Sequence, residues 1–366
     1  MHIGIDARLT YYRRGGISLY IERLTAGLES LDTAHRFTFF YSRKADHPVV
    51  RGRIRHAQLW TPCHHRLERI ALSAELIPHR LDLFHTTDFI PPLRGANHHV
   101  ISVHDLAFLH YPRFLTDESR RYYADQIVYA VDHADHILTI SEASKQDIIA
   151  MLGVSPDKIT VHLLAADESF KPLTSAAAAA GRSALELPET YFLFVGTFEP
   201  RKNILGLACA YKRLIDAQPG APPLVLAGTA GWNFEETQRA VDALQLPDRI
   251  LWRYGIPQEA LPALYGGAVA LLMPSFYEGF GLPALEAMAC GTMPIVSDRS
   301  ALPEVVGDVG VLVHPEDEAA IAEAMRRAWQ DSAWRTEQER KGLERARIFT
   351  WDQVTRTALS AYEMFA

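Results

Sequence analysis

The chain has 366 residues, 48% hydrophobic and 22% charged; this excludes a disordered chain and calls for two domains, since single cores stop growing near about 250–300 residues. Its 37 Lys and Arg against 44 Asp and Glu leave a net charge of −7, so the chain carries no overall electrostatic footprint for nucleic acid. No apolar run approaches the roughly 20 residues of a spanning helix, Met1-His2-Ile3-Gly4-Ile5-Asp6 lacks the features of a signal peptide, and the spaced Cys63, Cys209 and Cys290 form no CxxC pair, which points to a reducing cytoplasm.

Residues 3–5 read as the first strand. Arg13, Arg14, Gly15 and Gly16 follow, ahead of a helical pattern over residues 19–31. Paired glycines let backbone approach a ligand, and a helix start offers free N–H groups to an anion. A plain strand-to-helix turn explains the pair equally well, and GxGxxG is absent. A strand at 37–41 comes next. Residues 64–83 then mix Arg66, Arg69 and Arg80 with Leu67, Ile70, Leu72, Leu76 and Ile77. That pattern suits weak peripheral contact with a membrane, or a helix packed inside the first domain with snorkelling arginines; we expect the packed helix. Strands at 81–85 and 100–103 lead to His104-Asp105. A histidine bonded to nearby backbone is the competing reading there, but the carboxyl end of a strand favours a ligand role. Strands at 137–140 and 159–163 flank a helix over 142–152. Through residue 170 the chain has 19 Lys/Arg against 20 Asp/Glu and 15 of its 16 histidines, so this half should turn cationic as His protonates.

A break is expected between Asp167 and Thr190, giving domains 1–170 and 171–350. The alanines at 176–180 belong either to that linker or to a helix of the second domain. Strands then recur at 191–195, 224–227, 250–253, 269–273, 293–296 and 310–313. Strands alternating with helices mean parallel sheets, here two doubly wound domains. After the strand at 191–195 comes Gly196-Thr197-Phe198-Glu199-Pro200-Arg201-Lys202-Asn203. Cations at a helix start oppose its dipole unless an anion binds there, so Arg201 and Lys202 suit a diphosphate. The most informative run is Ser275-Phe276-Tyr277-Glu278-Gly279-Phe280-Gly281-Leu282-Pro283, with Glu286 beyond it. Pro283 marks a first helical turn. Glu278 then lies in the loop before the helix and Glu286 about one turn inside. Carboxylates accept sugar and ribose hydroxyls, while backbone donors at the helix start take phosphate oxygens. A loop charge and a dipole-matching acid would explain each glutamate singly but not the whole run.

Glu278 and Glu286 form E-x7-E within SFYEGFGLPALEAMACG. With FVGTFEPRKN, VHDL, GIDAR and GGIxxY, this resembles the GT-B glycosyltransferases of family 4 over almost the whole chain. The resemblance implies two Rossmann-like domains, retention of anomeric configuration and no essential metal or cofactor. It implies that Lys202 and Arg201 hold the donor diphosphate, Glu278 reads the hexose and Glu286 the ribose. Phe280, Gly281, Leu282 and Gly196 would contact sugar and phosphate. Gly15, Gly16 and His104 would approach from the first domain. Thr197 stands where many members carry Arg, which leaves Arg201 to supply the second charge. A final helix over 351–366 would cross back to the first domain and make closure a hinge motion. Backbone near Tyr254 and Ile256 would meet the base.

These residues would stabilise the departing nucleoside diphosphate without a proton donor. No carboxylate is placed as a nucleophile, which favours same-face attack over double displacement. The mannosyltransferase-rich subgroup carrying EPRKN implies GDP-mannose as donor, with UDP-sugars as the alternative. A glycan or lipid-linked saccharide would be the acceptor, with no nucleic acid as partner. An epimerase or phosphorylase on the same scaffold, or a non-catalytic sugar-nucleotide sensor, are the competing classes.

Overall fold

A computed structural model describes residues 1–12, 15–45, 54–65, 67–114 and 117–366; the side chains of 114 and 117–122 lie outside the description, as do Arg13, Arg14 and Arg66. The chain divides into two units, Met1–Leu164 with Thr350–Ala366, and Ala165–Phe349. The division falls earlier than the expected 170/171. Phe170 already packs edge-on against Tyr265, with ring centroids 5.9 Å apart, so the connector belongs to the second unit. The alanine run is a helix, Ser175–Ala184, capped by Thr174. Gly181 there lies so close to Ala263 that a side chain would collide.

The first unit holds a parallel sheet of β1 (His2–Asp6), β2 (Arg36–Ser42), β3 (Arg55–Leu59), β4 (Leu81–Thr86), β5 (Ala96–Val103), β6 (His136–Thr139) and β7 (Ile159–Val161), in the order β3-β2-β1-β4-β5-β6-β7. Ile3, Ile5, Leu83, Val100 and Ile101 are sealed in the core, as expected of strands covered on both faces. The second unit holds β8 (Tyr191–Phe198), β9 (Leu224–Ala230), β10 (Ile250–Tyr254), β11 (Ala268–Met273), β12 (Pro294–Ser297) and β13 (Val311–Val313), also parallel, in the order β10-β9-β8-β11-β12-β13. Each order reverses once, between β1 and β4 and between β8 and β11. Such switch points leave a crevice at the carboxyl ends of the two strands, and ligands bind there.

The last helix, Trp351–Glu363, belongs to the first unit and starts on a Thr350 cap. It meets the helix Gly16–Ser30 where Gly27 leaves no room: a Cβ there would collide with Thr355 Oγ1. Deeper in, His85 Nδ1 bonds the Tyr362 hydroxyl at 2.7 Å and His85 Nε2 bonds Ser102 Oγ at 2.8 Å. Ser102 also meets the Tyr20 hydroxyl at 3.1 Å. Burial, with His162 and His104 adding to it, holds His85 well below the usual histidine range. His2, His79, His99, His136 and His162 are lowered too, burial being the largest cause in each. These six of the fifteen histidines in this half therefore withhold the expected acid-induced positive charge, because a buried imidazole resists protonation.

The helix Glu68–Leu76 packs as expected on one face, through Leu72 and Leu76. Its Arg69 guanidinium lies over Tyr129, 3.6 Å from the ring centroid. Leu67, Ile70 and Ile77 are exposed. No helix among the described residues is long and apolar enough to cross a membrane.

Candidate active site

In the second unit the switch point brings together what the sequence separates. β8 ends in a 3-10 turn, Pro200–Lys202, and Asn203 adopts a left-handed φ of 56° before the helix Ile204–Ala217. Left-handed backbone suits Asn better than most residues. Its side chain anchors the turn by donating to the Pro274 carbonyl at 3.1 Å and the Pro315 carbonyl at 2.6 Å. The turn thus faces the loop after β11. Lys202 Nζ donates to both Glu278 oxygens, at 2.6 and 2.7 Å. Arg201 donates to Glu278 Oε2 at 3.0 Å and to the Tyr277 carbonyl at 2.5 Å. The Phe276 N–H in turn donates to the Arg201 carbonyl at 2.9 Å.

Lys202 and Glu278 are both buried. Burial works to raise the Glu278 carboxyl, but the Lys202 and Arg201 charges prevail and hold it down at about 2. Two cations on one buried carboxylate form a preassembled anion-binding group, with Glu278 as its resident anion. The Glu278 N–H donates to Ser300 Oγ at 2.9 Å, tying the loop to the turn before the helix Leu302–Val306.

Gly281 caps the helix Leu282–Ala289 at φ 113°, and a Cβ there would lie 2.7 Å from Leu302 Cδ2. Pro283 sits in the first turn, as expected. A helix start of this kind leaves backbone N–H groups without intrahelical partners. Phe280 is buried, edge-on to Phe349 at 6.0 Å. Glu286, the fifth residue of the helix, is buried apart from the cation cluster and accepts the Tyr265 hydroxyl at 2.7 Å. Burial pushes its carboxyl up to about 7, with the Tyr265 hydrogen bond opposing. The two glutamates thus take different partners and opposite pKa shifts. Pairs of titratable groups driven apart in this way mark functional sites.

Along the carboxyl edge of the sheet, strand register sets Gly196 beside Gly228 and Gly228 beside Tyr254. A Cβ at Gly196 would lie 3.9 Å from Lys202 Cε. Tyr254 is 50% exposed and Ile256 half-buried. In the first unit Gly15 and Gly16 are exposed at the start of the helix Gly16–Ser30. His104 follows β5, half-buried, with Nε2 bonded to the Thr87 carbonyl at 2.9 Å and its ring edge-on to Tyr20 at 5.2 Å. The backbone-bonded reading of His104 and its strand-end position both hold. Sequence reasoning missed Tyr265, Ser300 and Asn203; only Asn203, inside the quoted motif, carried a signal.

Residues 179–347 match the family of glycosyl transferases group 1, and residues 14–167 match glycosyltransferase family 4. The chain is 34% identical to the O-antigen chain mannosyltransferase B of Escherichia coli over 77% of this chain and 74% of that protein. It is 29% identical over 71% of its length to an Escherichia coli serotype-specific mannosyltransferase WbdA, of which it spans 32%. Among solved structures, a sucrose-phosphate synthase from Thermosynechococcus elongatus superposes with a TM-score of 0.80 at 23% identity, over 99% of this chain and 98% of that one. WaaG, involved in lipopolysaccharide biosynthesis, gives 0.77 at 15% identity over 98% and 99%. These structures share the fold. The paired family matches, with 34% identity to a mannosyltransferase, identify the chain as a GT-B glycosyltransferase of family 4.

Proposed function

We propose that the chain transfers mannose from GDP-mannose to a hydroxyl of a saccharide or lipid-linked saccharide, with retention of configuration and without a metal ion. The relatives named as mannosyltransferases support the sugar. The observation that carries the chemistry is the Lys202–Arg201–Glu278 cluster at the switch point between β8 and β11. A diphosphate arriving there offers the cations stronger anionic partners than one carboxylate. Lys202 and Arg201 then stabilise the charge that grows on the leaving nucleoside diphosphate. Glu278, relieved of part of its ion pairing, is free to accept hexose hydroxyls, and Glu286 takes the ribose. The leaving phosphate serves as base for same-face attack, so no protein nucleophile is required.

The reading is tested by titrating GDP into Lys202→Ala. Loss of one charge-assisted contact should weaken binding about ten- to a hundredfold. Lys202→Arg keeps the charge and should lose less. Unchanged GDP affinity in a Lys202→Ala protein that stays folded would remove Lys202 from the site. A UDP-sugar donor is the second reading, because a relative of the same fold, HepE from Anabaena, is seen in complex with UDP and glucose, with a TM-score of 0.75 at 16% identity over 100% of both chains.

A further inference from the structure

The first unit has its own switch point, between β1 and β4, and a histidine–aspartate pair stands on it that the donor chemistry leaves unused. Asp88 lies two residues beyond the end of β4, beside Thr87, whose carbonyl holds His104 and whose hydroxyl donates to the Asp6 carbonyl at 2.6 Å. His64 Nε2 meets Asp88 Oδ2 at 2.7 Å. The other Asp88 oxygen accepts the Phe89 N–H at 2.7 Å. Burial opposes ionisation of Asp88, yet His64 and His104 hold its carboxyl below the usual range. A carboxylate can only accept, so the ring proton facing Asp88 sits on Nε2. In the neutral tautomer Nδ1 is then the ring's acceptor, and among the described residues no group bonds it.

The loop bearing His64 is held firmly. The His64 N–H donates to Glu68 Oε2 at 2.6 Å, and Glu68 Oε1 pairs with Arg8 at 2.8 Å. Arg8, fully buried, also pairs with Asp6 and donates to the Thr61 carbonyl at 2.9 Å. His64 itself takes φ 60°, a left-handed conformation that costs energy for a side chain of this size and is kept only where surroundings enforce it. Beside the ring lies an aromatic group: Tyr123 edge-on at 6.1 Å, and beyond it Phe89 and Phe108 at 6.0 and 5.7 Å from Tyr123. Tyr123 and Phe108 are partly exposed. Hexose rings present apolar C–H faces and a rim of hydroxyls. A half-exposed aromatic group next to one fixed acceptor nitrogen matches both, as binding sites combine apolar walls with a few placed polar groups.

We propose that His64 and Asp88 build an acceptor subsite in the first unit: His64 Nδ1 accepts a hydroxyl of the acceptor saccharide, and Asp88 is the positioning residue that fixes the ring. The proposal rests on the glycosyltransferase assignment and is independent of which donor is used.

The test uses imidazole nitrogen NMR on the full chain without nucleotide, with methyl α-mannoside, methyl α-glucoside, methyl β-galactoside and methyl β-N-acetylglucosaminide as probes. The free protein should show His64 protonated on Nε2, and at least one glycoside should shift its Nδ1 resonance. With that glycoside as acceptor, His64→Gln should raise KM about three- to tenfold, the worth of one neutral hydrogen bond, with kcat nearly kept. Asp88→Asn should change the His64 tautomer and raise KM in the same way. A His64 resonance that no glycoside moves, or a His64→Gln enzyme with parental KM, overturns the subsite. If Asp88→Asn leaves tautomer and KM alike, Asp88 is not the positioning residue. GDP titrations report separately on the donor site, so its failure and this one are distinguishable. Should His64→Gln fail to fold, the resonances of the unaltered protein still decide.

Discussion

Glu278 and Glu286 are eight positions apart, yet they sit in opposite electrostatic surroundings. Glu278 is held ionised by Lys202 and Arg201; Glu286 meets a neutral hydroxyl donor, that of Tyr265, and burial raises it to about 7. The linkage differs in sign. Glu278 contributes stability above its unfolded value of 4.5, lost as pH falls toward about 2. Glu286 favours the protonated folded form, a contribution present below 4.5 and lost as pH rises through about 7. An ionised Glu286 accepts two ribose hydroxyls better than a protonated one. GDP affinity should therefore rise between about pH 6 and about pH 8 in the parent and rise less in Glu286→Gln. Glu278→Gln should retain GDP binding yet lose turnover, since hexose placement sets alignment with the acceptor. Calorimetric titration and transfer assays on both variants read the contrast. Equal pH slopes in parent and Glu286→Gln, or GDP binding lost only in Glu278→Gln, would contradict the assigned roles.

At the scale of elements, the C-terminal helix depends on one glycine in a distant one. Gly27 lets the helix Trp351–Glu363 approach the helix Gly16–Ser30, and Thr355 occupies the space a side chain would need. Thr355 Oγ1 is itself tied to the Trp351 carbonyl at 2.8 Å, so it cannot swing aside freely. Gly27→Ala should destabilise the first unit by about 1–3 kcal/mol, the usual cost of overpacking, despite alanine's better helix propensity. Urea denaturation measures it. Adding Thr355→Ala should recover part of the loss; a double variant no better than Gly27→Ala would place the strain elsewhere. The helix Leu282–Ala289 shows the same dependence on shape at its cap, where Gly281 at φ 113° abuts Leu302.

For the molecule as a whole, each unit owns a parallel sheet with one switch point, and chemistry-bearing residues gather at both. Donor identity and metal independence belong to this scale, because they depend on every charge the donor meets. GDP should bind more tightly than UDP, and transfer should survive excess EDTA, with Lys202, Arg201 and helix N–H groups in place of a divalent ion. Titration of both nucleotides and a transfer assay in chelator check this. Tighter UDP binding sinks the GDP assignment, and activity lost in EDTA but restored by Mg²⁺ or Mn²⁺ sinks the metal-free one.

The sequence by itself determined the strands whose apolar runs are local signals, twelve of the thirteen among the described residues, and the loops at their carboxyl ends. It missed β3, Arg55–Leu59, because an edge strand with polar faces carries no apolar run. The E-x7-E run and EPRKN also revealed the family, since their glycines, proline and charges state local backbone needs. Only tertiary structure decided who meets whom: Lys202 with Glu278 across 76 positions, Tyr265 with Glu286 across 21, His64 with Asp88 across 24. Such pairings follow from strand order and switch points, which bring distant loops to one edge of a sheet. Periodicity reports only a residue's own neighbours, so the protonation and partners of these side chains become legible only once the sheets are assembled.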